Sequence, residues 1–209
     1  GYTTRGTLQL SENNNLNMSY EFGSQNSSNQ NVGDFGLPEQ ASTNNRDNFT
    51  FQAKETAVLS SRFNNEIRFQ YAGNLIQQQR VNDTPHIDVL GAFRAGGAPG
   101  NRDTQLRSYD FGNLLMYTGD AWAFRFGFDG GFTRLNSDTQ NNFNGTFTFN
   151  SLYDYCGIVP GQSTAPQCQI ELAENSGAPL TGPTYGISSG TPLFLVNQWQ
   201  SAMFIQSDW

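Results

Sequence analysis

Large apolar side chains recur at every second position from Trp122 through Phe124, Phe126 and Phe128, and again at Phe132. Between them stand Ala123, Arg125, Gly127, Asp129 and Gly131, all small or charged. Successive side chains of a strand point to opposite faces, so strict alternation of this kind predicts an extended strand. Its reading length is about twelve residues, against about 5–6 for an ordinary strand. One face is an aromatic stripe and the other tolerates water. That is the pattern of a transmembrane β-barrel strand, which crosses the hydrocarbon in about 9–11 tilted residues.

Companions to this stretch decide whether the whole chain follows it. Leu16, Met18, Tyr20 and Phe22 alternate with polar residues, as do Phe49, Phe51 and Ala53, and Ile67, Phe69 and Tyr71. The sequence therefore predicts an all-β chain. It forms an antiparallel up-and-down sheet of long amphipathic strands over about 3–11, 15–22, 48–57, 63–73, 105–118, 121–135 and 193–209. Tight turns near residues 12–14, 59–62 and 119–120 alternate with long loops at 23–47, 74–104 and 136–192. Within the last loop, Gly145–Asn150 reads as a short strand and Ser151–Tyr155 as a helical turn. Outer-membrane barrels show this asymmetry, with short periplasmic turns and long extracellular loops, whereas structureless loops of such length are uncommon in compact domains. Residues 1–209 are read as one β-barrel segment.

Composition agrees. Charged residues make up 14% of the chain and hydrophobic ones only 36%, so a large oily core is not available. Asn, Gln, Ser, Thr and Gly fill the difference, together with 17 Phe. No apolar run is long enough for a helical span. The net charge of −7 argues against a nucleic-acid partner, because phosphate binding needs a basic surface. No secretory signal precedes Gly1, which fits either a removed signal or a start inside a larger protein.

On this pattern Glu66, Arg68, Arg125 and Asp129 face a lumen, with Glu21 and Lys54 on the same polar faces, and Trp122, Phe124, Phe126 and Phe128 face lipid. Cys156 and Cys168 lie in a Gly/Pro-rich stretch. In an exported protein an oxidising compartment favours a disulfide between them over a metal or redox site. Their pairing would contribute about 3 kcal/mol on a chain-entropy estimate.

Catalytic patterns are missing. There is no Gly-x-Ser-x-Gly elbow, phosphate-binding loop or Cys-x-x-Cys. The single histidine, His86, sits with Asp83 and Asp88, but one histidine and two carboxylates in a loop form a weak metal pattern, and His86 reads as a solvated loop residue. The expectation is a non-enzymatic chain with no cofactor and no metal.

Several phrases, taken in order, carry a resemblance. They are Leu16-Asn17-Met18-Ser19-Tyr20, Asn65-Glu66-Ile67-Arg68-Phe69-Gln70-Tyr71, Phe124-Arg125-Phe126-Gly127-Phe128-Asp129, Gly145-Thr146-Phe147-Thr148-Phe149 with Ser151-Leu152-Tyr153-Asp154-Tyr155, and Phe204-Ile205-Gln206-Ser207-Asp208-Trp209. From about Thr3 to Trp209 the chain resembles the barrel of the Oar-like TonB-dependent receptors. The resemblance implies a bacterial outer-membrane location, ligand binding and transport across that membrane, and an unidentified ligand. It covers the barrel portion alone: the family's regulatory-like domain, plug and TonB box have no counterpart here. About seven strands fall short of the roughly 22-stranded closure found in large outer-membrane transporters. The expectation is thus a fragment, or a truncated or divergent relative. Its partners would be membrane lipid and, at the open sheet edges, the remainder of a barrel or another envelope chain. The alternative is a small envelope β-protein serving as a structural or binding subunit of a larger assembly.

Overall fold

The computed structural model describes residues 1–209. Seven long strands form one sheet: β1 (Tyr2–Ser11), β2 (Asn14–Gln30), β3 (Ser42–Val58), β4 (Phe63–Arg80), β7 (Gly100–Thr118), β8 (Ala123–Asn141) and β11 (Leu193–Asp208). Each lies beside its predecessor in the order β1-β2-β3-β4-β7-β8-β11, and every pairing is antiparallel. The sheet is therefore up-and-down, and the all-β reading holds.

Register brings the apolar positions of neighbouring strands together. Tyr20, Phe51, Tyr71, Tyr109, Phe132 and Trp199 form one continuous row across six strands. Ring centroids lie 4.7 Å apart between Tyr71 and Tyr109 and 4.4 Å apart between Phe132 and Trp199. A one-residue slip would send this whole set to the opposite face, so the aromatic row pins the register.

The long strands run past the boundaries expected from alternation. β2 continues from residue 22 to Gln30, β3 starts at Ser42 rather than 48, and β4 continues from 73 to Arg80. β7 starts at Gly100 rather than 105, and β8 continues from 135 to Asn141. These extensions are rich in Asn, Gln, Ser and Thr and carry no apolar stripe. They are strands because their backbones pair with a neighbour already in place. Gln77 lies opposite Asn45 on one side and Asp103 on the other. At the opposite end, β8 begins at Ala123, so Trp122 belongs to the turn.

The expected long loops shrink accordingly to residues 31–41, 81–99 and 142–192, and they are structured. The chain forms a hairpin of β5 (His86–Val89) and β6 (Phe93–Gly96), then β9 (Thr146–Phe149) and β10 (Thr184–Gly186), in the order β10-β9-β5-β6. β5 and β9 pair in parallel, His86 opposite Thr146. Two short helices, α1 (Leu152–Ile158) and α2 (Pro166–Glu174), complete this cap. β9 and α1 are the short strand and helical turn expected within 145–155. Ser151 starts α1 as its N-cap, its side chain accepting from the Asp154 amide at 3.1 Å.

The hydrophobic core is in the cap. Val89, Phe149, Tyr155, Cys156 and Cys168 form one buried cluster, and Cys156 and Cys168 are joined as a disulfide. The first long connection is tied to it by Gln40, whose buried amide donates to the carbonyls of Ala95 (2.6 Å), Gly96 (2.7 Å) and Gly97 (3.2 Å).

Candidate functional site

The two faces of the long sheet differ in chemistry, and every position singled out by alternation falls on one of them. On the polar face, register aligns Asn17, Lys54, Arg68, Gly112, Asp129 and Ala202 across six strands. Lys54 pairs with Glu66 at 2.6 Å, and Arg68 contacts Glu66 at 3.7 Å and Asp129 at 3.2 Å. Arg5 and Glu21 add a further pair at 3.5 Å. Glu66, Arg68 and Asp129 thus join one network. Arg125 lies on the same face, two rows nearer the tight turns, and takes part in no ion pair.

Arg68 and Asp129 are two strands apart, and the glycine between them makes the contact possible. Gly112 separates them in register, and a Cβ there would lie 2.7 Å from the Asp129 carboxylate and 3.2 Å from the Arg68 guanidinium. A glycine inside a strand often marks such a close approach. Gly112 was not among the expected functional positions. The signal available in sequence was a glycine at a polar-face position of an otherwise regular strand.

A hollow of about 670 Å³ lies over this row. Gln52, Lys54, Arg68, Gln70, Asp110, Asp129 and Gln200 present polar groups to it. Because the hollow spans β3, β4, β7, β8 and β11, the sheet is concave on its polar side. Arg68 and Asp129 are about half exposed, and exposed pairs of this kind contribute about 0–1 kcal/mol each. The network therefore lines the concavity with fixed opposite charges more than it stabilises the sheet. The arrangement suits holding a polar or zwitterionic solute, and it contains no nucleophile–base pair.

On the other face Trp122, Phe124, Phe126 and Phe128 stack along β8 and its preceding turn. Centroids are 6.3 Å apart for Trp122–Phe124 and 6.2 Å for Phe124–Phe126, and Phe128 meets Phe111 at 6.2 Å. Trp209 closes on Trp122 at 6.3 Å. Nothing in the chain covers this face. Even on interior strands Phe69, Tyr109, Phe111 and Phe126 remain exposed, and on β11 Trp199 and Met203 are 78% and 80% exposed. Only 19 of 209 residues are buried, too few for a sheet packed against a second layer. The accessible surface is 13150 Å², whereas a compact water-soluble monomer of this mass exposes about 9,700 Å².

His86 is placed differently from its reading as a solvated loop residue. It is the first residue of β5, is buried, and its Nδ1 lies 3.2 Å from the Gly97 carbonyl. Burial follows from the parallel pairing of β5 with β9, which the local sequence does not announce. Asp83 pairs instead with Arg80 at 2.6 Å. In the cap, burial pushes the Tyr155 phenol above its ordinary range, and the nearby Glu39 carboxylate adds to the shift.

Compared with known proteins, the chain matches no family model, no curated protein and no solved structure.

Proposed function

We propose that this chain is part of the wall of a bacterial outer-membrane β-barrel, a segment of a TonB-dependent receptor-like protein that binds a ligand and serves its transport across the membrane. The observation that carries the reading is the uncovered aromatic face on strands of membrane-crossing length. From Trp122 to Phe132 the strand advances about 33 Å at ~3.3 Å per residue, or about 25 Å along the membrane normal at a tilt of ~40°. That is the height of the apolar band of such barrels. Both borders of the band are aromatic: Phe63, Tyr117, Trp122 and Trp209 at the tight turns, and Tyr71, Tyr109 and Trp199 toward the cap. Trp and Tyr collect at the two membrane–water interfaces for their mixed polarity.

In this reading the concave polar face lines a lumen, the tight turns are periplasmic, and the disulfide-stapled cap is extracellular. The cap and the charged lining then supply the ligand contacts, and catalysis has no part. Fractionation of cells producing the full chain tests the proposal. The protein is expected in the outer-membrane fraction, released only by detergent; recovery in the soluble fraction without detergent would refute it.

A second reading, a structural or binding subunit of an envelope assembly, is favoured by the unpaired outer edges of β1 and β11. Intact mass of the native protein separates the two: about 23 kDa supports a subunit, and a several-fold larger mass supports a segment.

A further inference from the structure

Arg107 on β7 and Arg134 on β8 lie directly opposite each other in register. They are on the aromatic face, one row toward the cap from Tyr109 and Phe132. Both are exposed, and neither has a carboxylate within ion-pairing distance. Their neighbours on that face explain why. Gly73 and Asn197 flank the pair in register, Gln105 and Asn136 stand in the next row toward the cap, and none is acidic. The acidic residues of this face on the same two strands, Asp103 and Asp138, stand two rows toward the cap and form no ion pair with them. Like charges directly opposite on a sheet destabilise it, so the pair is open to an anion from outside the chain.

We propose that Arg107 and Arg134 form a clamp for the phosphate of a lipid headgroup in the outer leaflet, an inference that rests on the membrane reading above. Position selects the lipid source. The row of Tyr71, Tyr109, Phe132 and Trp199 marks the interface level, and the guanidinium pair stands one strand step of about 7 Å above it. Acyl chains would pack on the aromatic rows below while the phosphate accepts from both guanidinium forks, whose planar geometry matches phosphate oxygens. The flanking positions suit the same occupant. The Phe49 ring lies over Gly73 and gives an acyl chain an apolar surface beside Arg107, and the amides of Gln105, Asn136 and Asn197 can bond headgroup hydroxyls.

Vesicles provide the test. The native protein, with the strands that complete its wall, is inserted into phosphatidylcholine vesicles and into vesicles containing a minority of lipid A, which carries phosphate. Wild type is expected to favour the phosphate-bearing vesicles by about 30-fold, the attraction of two basic residues at an anionic surface. The double variant R107Q/R134Q is expected to insert into neutral vesicles as wild type does and to lose that preference. R46Q/R94Q, which removes the same charge from the polar face and the cap, is expected to keep it. Equal preference in wild type and R107Q/R134Q, with insertion intact, overturns the clamp while leaving the membrane reading standing. Failure of wild type to insert into either vesicle overturns both. Saturation of the pair by inorganic phosphate in neutral vesicles, with no added preference for lipid A, overturns the lipid assignment.

Discussion

Met203 and Ala202 are neighbours on β11 and point to opposite faces, so the same substitution at each separates a lipid-facing sheet from a water-facing one. Met203 pairs with Phe128, roughly midway between the Trp122 and Phe132 levels, and is 80% exposed. If that face met water, Met203→Arg would change stability by no more than about 0.5 kcal/mol, as surface substitutions usually do. If it meets hydrocarbon, an arginine near the midplane costs about 2–4 kcal/mol. Ala202→Arg places the same charge beside Asp129 on the polar face, where the expected change is close to zero or slightly stabilising. Both variants share a strand, an edge position and a charge, so net charge cancels, and the strand propensities of the replaced Met and Ala differ by less than the expected gap. Guanidinium unfolding in detergent micelles or vesicles, followed by tryptophan fluorescence, reads the difference. The expected gap is about 30- to 900-fold in the unfolding equilibrium constant. A Met203→Arg variant as stable as Ala202→Arg would show that the aromatic face is not lipid-facing, and the proposed function would fall with it.

Three further outcomes follow from the cap and the polar face. Reducing the Cys156–Cys168 bond, which spans a separation of 12 residues, is expected to destabilise the cap by about 3 kcal/mol. Amides such as Tyr155 and Val159 should then exchange hydrogen about 150-fold faster while Gln70 of β4 stays unchanged; equal acceleration in the sheet would mean that cap and sheet unfold as one unit. Gly112→Val drives a methyl-bearing carbon between Arg68 and Asp129. A double-mutant cycle on that pair, expected to give about 0.2–1 kcal/mol in the native background, should give nothing in the valine background, and a surviving coupling contradicts the bridging geometry. Because the Tyr155 phenol is raised above its ordinary 10.0, the folded cap holds that proton more tightly than the unfolded chain. Its contribution is complete below pH 10 and falls as pH rises from there through the folded value. Tyrosinate absorbance should show a late-titrating component that shrinks by one tyrosine in Tyr155→Phe; an unchanged late component would refute the shift.

Much of the long sheet was legible because its apolar band must alternate. Phe124, Phe126 and Phe128 announce one face, and Tyr20, Tyr71 and Tyr109 recur at the same spacing. Glu66, Arg68 and Asp129 were placed on a common face for the same reason. Arg125 shares that face without joining the network, since shared parity fixes a side and not a partner. The strand extensions were not legible. Gln77, Gln78 and Gln79 carry no hydrophobic period, and only pairing with β3 and β7 makes them strand. The cap was legible only in part. Four-residue strands such as β5 are stabilised by a partner sixty residues away, and the buried Gln40 amide bonds carbonyls more than fifty residues on. Such contacts leave no local pattern. The Arg107–Arg134 pair was hidden for a related reason: each residue alone interrupts an apolar face, and only register reveals that the two interruptions coincide.

The count of strands bears on how the wall is completed. With seven strands in strict up-and-down order, β1 and β11 run in the same direction. If the sheet curled until they met, the seam would be parallel, and β1 spans 10 residues against 16 in β11. An all-antiparallel barrel of the even-stranded bacterial type therefore needs at least one further strand between those edges. Neither environment tolerates the edges as they stand. Leu193 to Ser207 contains no charged residue, so β11 lacks the edge charges that keep soluble sheets from adding strands. In hydrocarbon its unpaired backbone groups would cost several kcal/mol each. The edge of β11 is thus a pairing surface in either setting, and the proposed barrel supplies what it requires: an antiparallel neighbour whose own outward residues continue the rows that begin at Tyr20 and end at Trp199.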